Sequence, residues 1–363
     1  MSVLITTGIY PPDIGGPATF IPELAKELEF RGRRPVVITL KPKRFDGNFP
    51  SYPLILITRS SNRFYRFTKS MTMVMIQAAK SKQIFSNGLY IESGLAALIL
   101  RKQAVAKLVG DPIWEKCRNS GATKLSITEF QIFRMSFRYR VLKKLYVFAL
   151  NQFTVIFCPS QELVAIFQNW GIRTPIKCIP NGVKIINNQP LVKEYDLVCV
   201  SRLVKWKNVD QCIRVAGRLK LSLLVIGTGP EFNNLELLSR QVSANSTFLG
   251  DCSSSEVLAY LAKSKVYMLL SQYEGLSFSL LEAMAAELSV VVSNAPGNIT
   301  VVRNNENGIV IESTNLEEIA ESVERLISDE NLRTKLGRAA KRFVQENYNL
   351  IDCLDESISL LDR

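Results

Sequence analysis

Short apolar runs alternate with helical stretches along the whole chain, and this alternation constrains the fold more than any other feature. Val3–Ile9 is an apolar run, followed by the loop Tyr10-Pro11-Pro12-Asp13-Ile14-Gly15-Gly16-Pro17. Ile21, Leu24, Ala25 and Leu28 then recur at helical spacing until Gly32 stops the helix, and Pro35–Leu40 reads as a second strand. The chain therefore opens as a βαβ unit with glycines ahead of a helix start. In the second half the runs Leu197–Val200, Leu221–Ile226, Thr247–Leu249, Val266–Leu270 and Val290–Val292 are spaced by helical stretches at 209–219, 231–243, 254–263 and 276–287. Such alternation predicts an α/β protein with parallel sheets covered by helices on both faces.

A length of 363 residues sets an expectation of about two domains at roughly 150 residues each. The turn-rich stretch from Pro180-Asn181-Gly182-Val183 to Pro190 is the natural boundary, because the charge balance changes there. Residues 1–180 carry 26 Lys/Arg against 10 Asp/Glu, a net +16, whereas residues 181–363 carry 19 against 23, a net −4. A basic half beside a mildly acidic one suggests that the basic half faces something anionic: nucleic acid, a membrane surface or a phosphorylated substrate. No aromatic-and-basic RNA-binding motif or zinc finger is present, which argues against a nucleic-acid partner.

Composition removes whole classes of chemistry. With no histidine at all, Ser-His-Asp and Cys-His nucleophiles and His-ligated metals are excluded. Seven scattered cysteines without a C-x-x-C suit reduced thiols in a cytoplasmic protein, not a disulfide frame or a zinc site. The first residues read directly as a strand with no targeting segment. The longest charge-free run, Leu145 to Gln161, is broken by Asn151, Gln152 and Pro159, so a soluble, intracellular protein is expected.

Four short motifs carry candidate chemistry. The first is Glu274-Gly275-Leu276-Ser277-Phe278-Ser279-Leu280-Leu281-Glu282. Its two carboxylates would stand ~12 Å apart in a continuous helix, too far for the roughly 5–9.5 Å of a glycoside hydrolase pair. The spacing suits two grips on one elongated ligand, with a helix start near Leu276 offering free N–H groups to a phosphate. A capped surface helix is the plainer alternative. The second is Ser201-Arg202-Leu203-Val204-Lys205-Trp206-Lys207, cations placed just after a strand, where open α/β sheets bind ligands. Gly227-Thr228-Gly229-Pro230 and Gly15-Gly16 are glycine turns that let backbone approach a nucleotide. Each alone is equally a solvated loop or a tight turn.

Together, in this order and spacing, these motifs resemble the retaining glycosyltransferases of family 4, with the GT-B architecture, over essentially the whole chain. Pro180-Asn181-Gly182-Val183 is similar to that family's interdomain stretch. The resemblance implies two Rossmann-like doubly wound domains facing a central cleft. These are an acceptor-binding domain over 1–182 and a nucleotide-sugar domain over 190–345, with a last helix within 346–363 packing back on the first. It implies that Arg202 and Lys207 hold the donor diphosphate, Glu282 the ribose hydroxyls and Glu274 the donor sugar. Gly16, Gly227, Gly229 and Gly275, with the backbone of Leu276, Ser277 and Phe278, would line the donor. The donor would be a nucleotide sugar, a substrate rather than a cofactor, and the acceptor a saccharide or a polyprenyl-diphosphate-linked saccharide. No D-x-D pair exists to hold a metal, so no metal is expected. Transfer to an acceptor is the expected reaction. A nucleotide-sugar epimerase or hydrolase on the same scaffold is the alternative.

One stretch departs from the family. Many relatives carry a His–Asp pair where this chain reads Gly110-Asp111-Pro112-Ile113-Trp114-Glu115, a form the resemblance associates with glycolipid or polysaccharide-precursor synthesis. Asp111 either orients the acceptor hydroxyl, a catalytic role, or caps a loop. Two basic stretches complete the reading. Arg63–Lys82 carries Phe64, Phe67, Met71, Val74 and Ala78 at helical spacing, beside Arg66, Lys69, Lys80 and Lys82. Phe130–Leu150 carries Phe133, Phe137 and Val141 beside Arg134, Arg138, Arg140, Lys143 and Lys144. They are either core helices with solvated basic faces or amphipathic helices lying on an anionic membrane.

Overall fold

The structure, a computed structural model, describes residues 1–13, 15–42, 49–59, 62–133, 135–185, 192–312 and 315–362. The readings above that involve Ile14, the Arg63 side chain, Arg134, Pro190 and the final residue lie outside the described residues. The chain divides into two compact units, Met1–Pro180 with Leu354–Arg363, and Asn181–Cys353.

The first unit runs β1 (Ser2–Thr7), α1 (Gly16–Phe30), β2 (Arg34–Leu40), β3 (Leu54–Ile57), α2 (Arg63–Lys80), β4 (Gln83–Asn87) and α3 (Tyr90–Leu100). It continues through β5 (Gln103–Lys107), α4 (Pro112–Asn119), α5 (Ile127–Ile132), α6 (Phe137–Leu150), β6 (Val155–Cys158), α7 (Gln161–Asn169) and β7 (Ile176–Cys178). The seven strands form one parallel sheet in the order β3-β2-β1-β4-β5-β6-β7, so the winding reverses beside β1. The central strands are buried on both faces, as parallel strands covered by helices require. Phe20, Phe85 and Phe157 meet in the core with ring centroids 6.2 and 6.0 Å apart. Lys107 of β5 is fully buried there, its ammonium 3.4 Å from the Phe20 ring centroid, a cation–π contact.

The basic stretch 130–150 is two helices, not one. A capping box of Ser126 and Glu129 starts α5, which ends in extended backbone at Phe133, and a second helix begins after Ser136. The apolar stripe read on α2 also divides: Val74 and Ala78 are core, whereas Phe64 is 76% exposed.

The second unit runs β8 (Tyr195–Val200), α8 (Val209–Leu219), β9 (Ser222–Ile226), α9 (Phe232–Gln241), β10 (Asn245–Gly250), α10 (Ser254–Ala262) and β11 (Ser264–Leu269). It ends with α11 (Phe278–Ala285), β12 (Ser289–Ser293), α12 (Pro296–Ile299), β13 (Ile309–Ile311), α13 (Leu316–Ser328) and α14 (Glu330–Asn347). Its parallel sheet has the order β10-β9-β8-β11-β12-β13, the same doubly wound arrangement. Leu197, Val225, Val266 and Val291 pack beneath Cys212, Ile213 and Ala216 of α8 and Ile319 and Val323 of α13. A last helix, α15 (Leu350–Ser359), crosses the division between units. Beyond Leu354 the chain belongs to the first unit, where Asp362 pairs with Arg33 at 2.5 Å and Asp355 pairs with Arg31.

Candidate active site

In the second sheet the winding reverses between β8 and β11, and ligands of open α/β sheets bind outside the carboxyl ends of strands at such a point. The two loops leaving those ends carry half of the expected site residues. After β8 the chain makes a short 3₁₀ turn over Lys205–Lys207, which aims Lys207 at the loop after β11. There Lys207 Nζ forms an ion pair with Glu274 Oε1, and Ser271 Oγ donates to the same oxygen at 2.6 Å. Both charged side chains are largely withdrawn from water, 16% and 9% exposed. Backbone bonds lock the loops together: Gln272 N donates to Trp206 O, and Asn208 Nδ2 to Leu270 O, at 2.8 and 2.9 Å. Arg202 stays exposed, its guanidinium 5.3 Å from the Trp206 ring centroid.

The helix start lies two residues later than the sequence spacing suggests. Ser277 is the N-cap of α11, with Oγ accepting from Leu280 N, so Leu276 and Ser277 are loop and Phe278 is the first helical residue. Ser279 Oγ donates to Val200 O at 2.9 Å and lies 2.8 Å from the Tyr267 hydroxyl, tying the first turn of α11 to β8 and β11. Burial, and after it the neighbouring Cys199, pushes the Tyr267 phenol well above its usual range. Glu282 has no hydrogen-bond or ion-pair partner among the described residues, and burial alone raises its carboxyl to about 7. Such a desolvated, unpartnered acceptor is suited to hydroxyl donors.

Gly227 and Gly229 are needed for a reason internal to the protein. A Cβ on Gly227, whose φ is +132°, would stand 1.9 Å from Ser201 O, and one on Gly229 would stand 2.1 Å from Leu203 O. The close approach that these glycines permit is thus by the loop carrying Arg202, and Leu203 N donates to Thr228 O at 2.9 Å. The Gly275 peptide is held from the other side, where Gly297 N donates to Glu274 O at 3.0 Å.

In the first unit Gly16 is the first residue of α1, after the cap Gly15. Asp111, read as either a catalytic group or a loop cap, has the geometry of a cap. It is 1% exposed and caps α4: Oδ1 accepts from Ile113 N and Trp114 N at 2.8 and 2.9 Å, and Oδ2 from Gln131 Nε2 at 2.9 Å. Both oxygens are engaged by the protein, and burial holds its carboxyl above the usual range. Glu115 fills the space beside the unusual Gly110, where a Cβ would lie 2.4 Å from Glu115 Oε1.

Three residues escaped the sequence reading. Ser271 stands three before Glu274, an S-x-x-E pattern that was legible. Asn208 adopts a left-handed conformation and bonds Leu270, which no motif announces. Asn181, read only as part of a boundary, is 2% exposed and donates Nδ2 to Leu276 O at 2.9 Å.

Residues 184–343 match the family described as Glycosyl transferases group 1, and residues 14–185 match Glycosyltransferase Family 4. An uncharacterised glycosyltransferase of Methanocaldococcus jannaschii is 26% identical across 100% of this chain and 98% of its own length. A GDP-mannose-dependent alpha-(1-6)-phosphatidylinositol monomannoside mannosyltransferase of Mycobacterium tuberculosis is 27% identical over 49% of this chain and 54% of its own. Among solved structures, Anabaena HepE in complex with UDP and glucose superposes with a TM-score of 0.80 at 18% identity, covering 99% of each chain. With both sheets wound in the Rossmann order and the two family matches running nearly end to end, this chain belongs to the family 4 glycosyltransferases of GT-B fold.

Proposed function

We propose that the protein moves a sugar from a nucleotide-diphosphate sugar to a saccharide or lipid-linked saccharide acceptor, with retention at the anomeric carbon. The observation that carries this reading is the Lys207–Glu274 pair at the switch point of the second sheet, beside the start of α11. Breaking a glycosyl–phosphate bond leaves growing negative charge on the diphosphate and positive character on the sugar. Arg202, Lys207 and the positive end of the α11 dipole stabilise the former, and Glu274 the latter. These side chains supply the charge themselves, so the step we propose uses no metal. The departing diphosphate oxygen takes the acceptor hydroxyl's proton on the face it leaves, and the acceptor oxygen bonds to the anomeric carbon from that face. Glu282 receives the ribose hydroxyls.

The likeness to a UDP-and-glucose-bound structure supports the donor class, and the likeness to a mannosyltransferase of a phosphatidylinositol mannoside supports a lipid-linked acceptor. All seven cysteines are free, which supports a reducing, cytoplasmic setting. The test is a thermal-shift panel of nucleoside diphosphates and nucleotide sugars. Stabilisation by one nucleotide class, abolished by Glu282→Ala, is expected. No response to any of them overturns the proposal.

A further inference from the structure

The first unit turns apolar side chains outward along α6. Phe137, Val141, Leu145 and Phe148 recur at helical spacing and are all exposed, Phe137 by 74%. Helix α3, which packs against α6, ends in the exposed Leu98 and Ile99. Between these apolar residues α6 carries Arg138, Arg140, Lys143 and Lys144. At its far end, beside the close of α7, lies a pocket of about 390 Å³ lined by Arg140, Lys143, Lys144, Val147, Phe148 and Trp170. Three cations face three apolar groups there, with no acidic side chain in the lining. The floor is fixed: Trp170 Nε1 donates to Gln131 Oε1 at 3.1 Å, and Lys143 Nζ stands 4.7 Å from the Trp170 ring centroid.

A cationic pocket alone fits any small anion, and an apolar stripe alone fits any greasy partner. Their junction at Phe148 selects an amphiphile with a negative head. We propose that this face docks on a bilayer containing anionic phospholipid, a lipid phosphate seating among Arg140, Lys143 and Lys144 while the Phe137–Phe148 stripe enters the acyl boundary. Among the described residues no helix is long and apolar enough to cross a membrane, so α6 lies on the surface rather than through it. The inference does not depend on the sugar-transfer reading.

The experiment is sedimentation of the full chain with vesicles of phosphatidylcholine alone or with one quarter phosphatidylglycerol, at low salt and at 0.5 M. The protein is expected to partition onto the phosphatidylglycerol vesicles only, and less at high salt. Arg140→Gln with Lys144→Gln should weaken partitioning roughly 25-fold, about five-fold for each charge. Leu145→Ser with Phe148→Ser should weaken it at least about tenfold, through lost apolar insertion. Both variants keep the nucleoside-diphosphate thermal shift, which shows that they fold. Equal partitioning onto both vesicle types, or unchanged partitioning by either variant, overturns the proposal. So does displacement from vesicles by millimolar glycerol phosphate, which would mark a site for soluble anions, or a concentration-dependent dimer that hides the stripe. Loss of the thermal shift in the wild type with vesicle binding intact would sink the sugar-transfer reading and leave the docking face standing.

Discussion

Lys207 and Glu274 neutralise one another across two loops that are 67 residues apart in sequence, and Ser271 supports the carboxylate from behind. The pair makes each partner's charge usable in a poorly solvated place, and it couples the group expected at the diphosphate to the one expected at the sugar.

Removing one partner should therefore do two things. Lys207→Ala is expected to lower turnover by 10²–10³-fold, in the range of a lost charge-stabilising donor. It should also cost about 3 kcal/mol in urea unfolding, because Glu274 is left buried with only a hydroxyl. The double variant Lys207→Met with Glu274→Gln should recover most of the stability and none of the turnover. Recovery of turnover as well would make the pair a structural clamp only.

Glu282 ties stability to pH. Its carboxyl, raised from the ordinary 4.5 to about 7, holds its proton in the folded state where the unfolded chain has lost it. The folded state then binds more protons across that window, so this group's contribution is full below about 4.5 and is lost as pH rises to 7, by about 3 kcal/mol in all. Glu282→Gln should flatten that part of the stability–pH curve and raise Tm at pH 8, while abolishing the nucleotide shift. An unaltered curve would show that Glu282 is not the titrating group.

The glycines give a paired prediction. Gly229→Ala drives a methyl into the Leu203 carbonyl, a backbone atom that moves only with its loop. It should cost about 2 kcal/mol or more and weaken nucleoside-diphosphate binding, since the displaced loop carries Arg202. Gly110→Ala meets the end of the Glu115 side chain rather than backbone, and should cost less than Gly229→Ala. Equal losses in chemical denaturation would refute the argument that backbone contact makes the difference.

Asp111→Ala removes an N-cap and should lower stability by about 1–2 kcal/mol. Turnover measured well below the lowered Tm should fall less than threefold. A hundredfold loss there would restore Asp111 to the reacting centre.

Much of this was legible because period and punctuation agree. Uniformly apolar strands, glycine-rich turns and helical spacing pointed to two parallel sheets, and β8 to α11 fall within two residues of the runs read from sequence. The E-x₇-E motif singled out Glu274 and Glu282 but not the pairing with Lys207, since Lys207 meets Glu274 only through the sheet's winding order. Asp111 was ambiguous because one carboxylate serves equally as cap or as catalyst, and its bonds to Ile113, Trp114 and Gln131 could not be read from sequence. The division between α5 and α6 was invisible because Phe133 and Phe137 keep helical spacing across it.

Asn181 is the first residue of the second unit, and it grips the carbonyl of Leu276. A ligand that repositions the Gly275–Ser277 segment must tug on the chain at its point of entry. That hydrogen bond is expected to carry local events at the loop to the connecting peptide. Amide exchange at Gly182 should respond to nucleotide in the wild type and fall silent in Asn181→Ala.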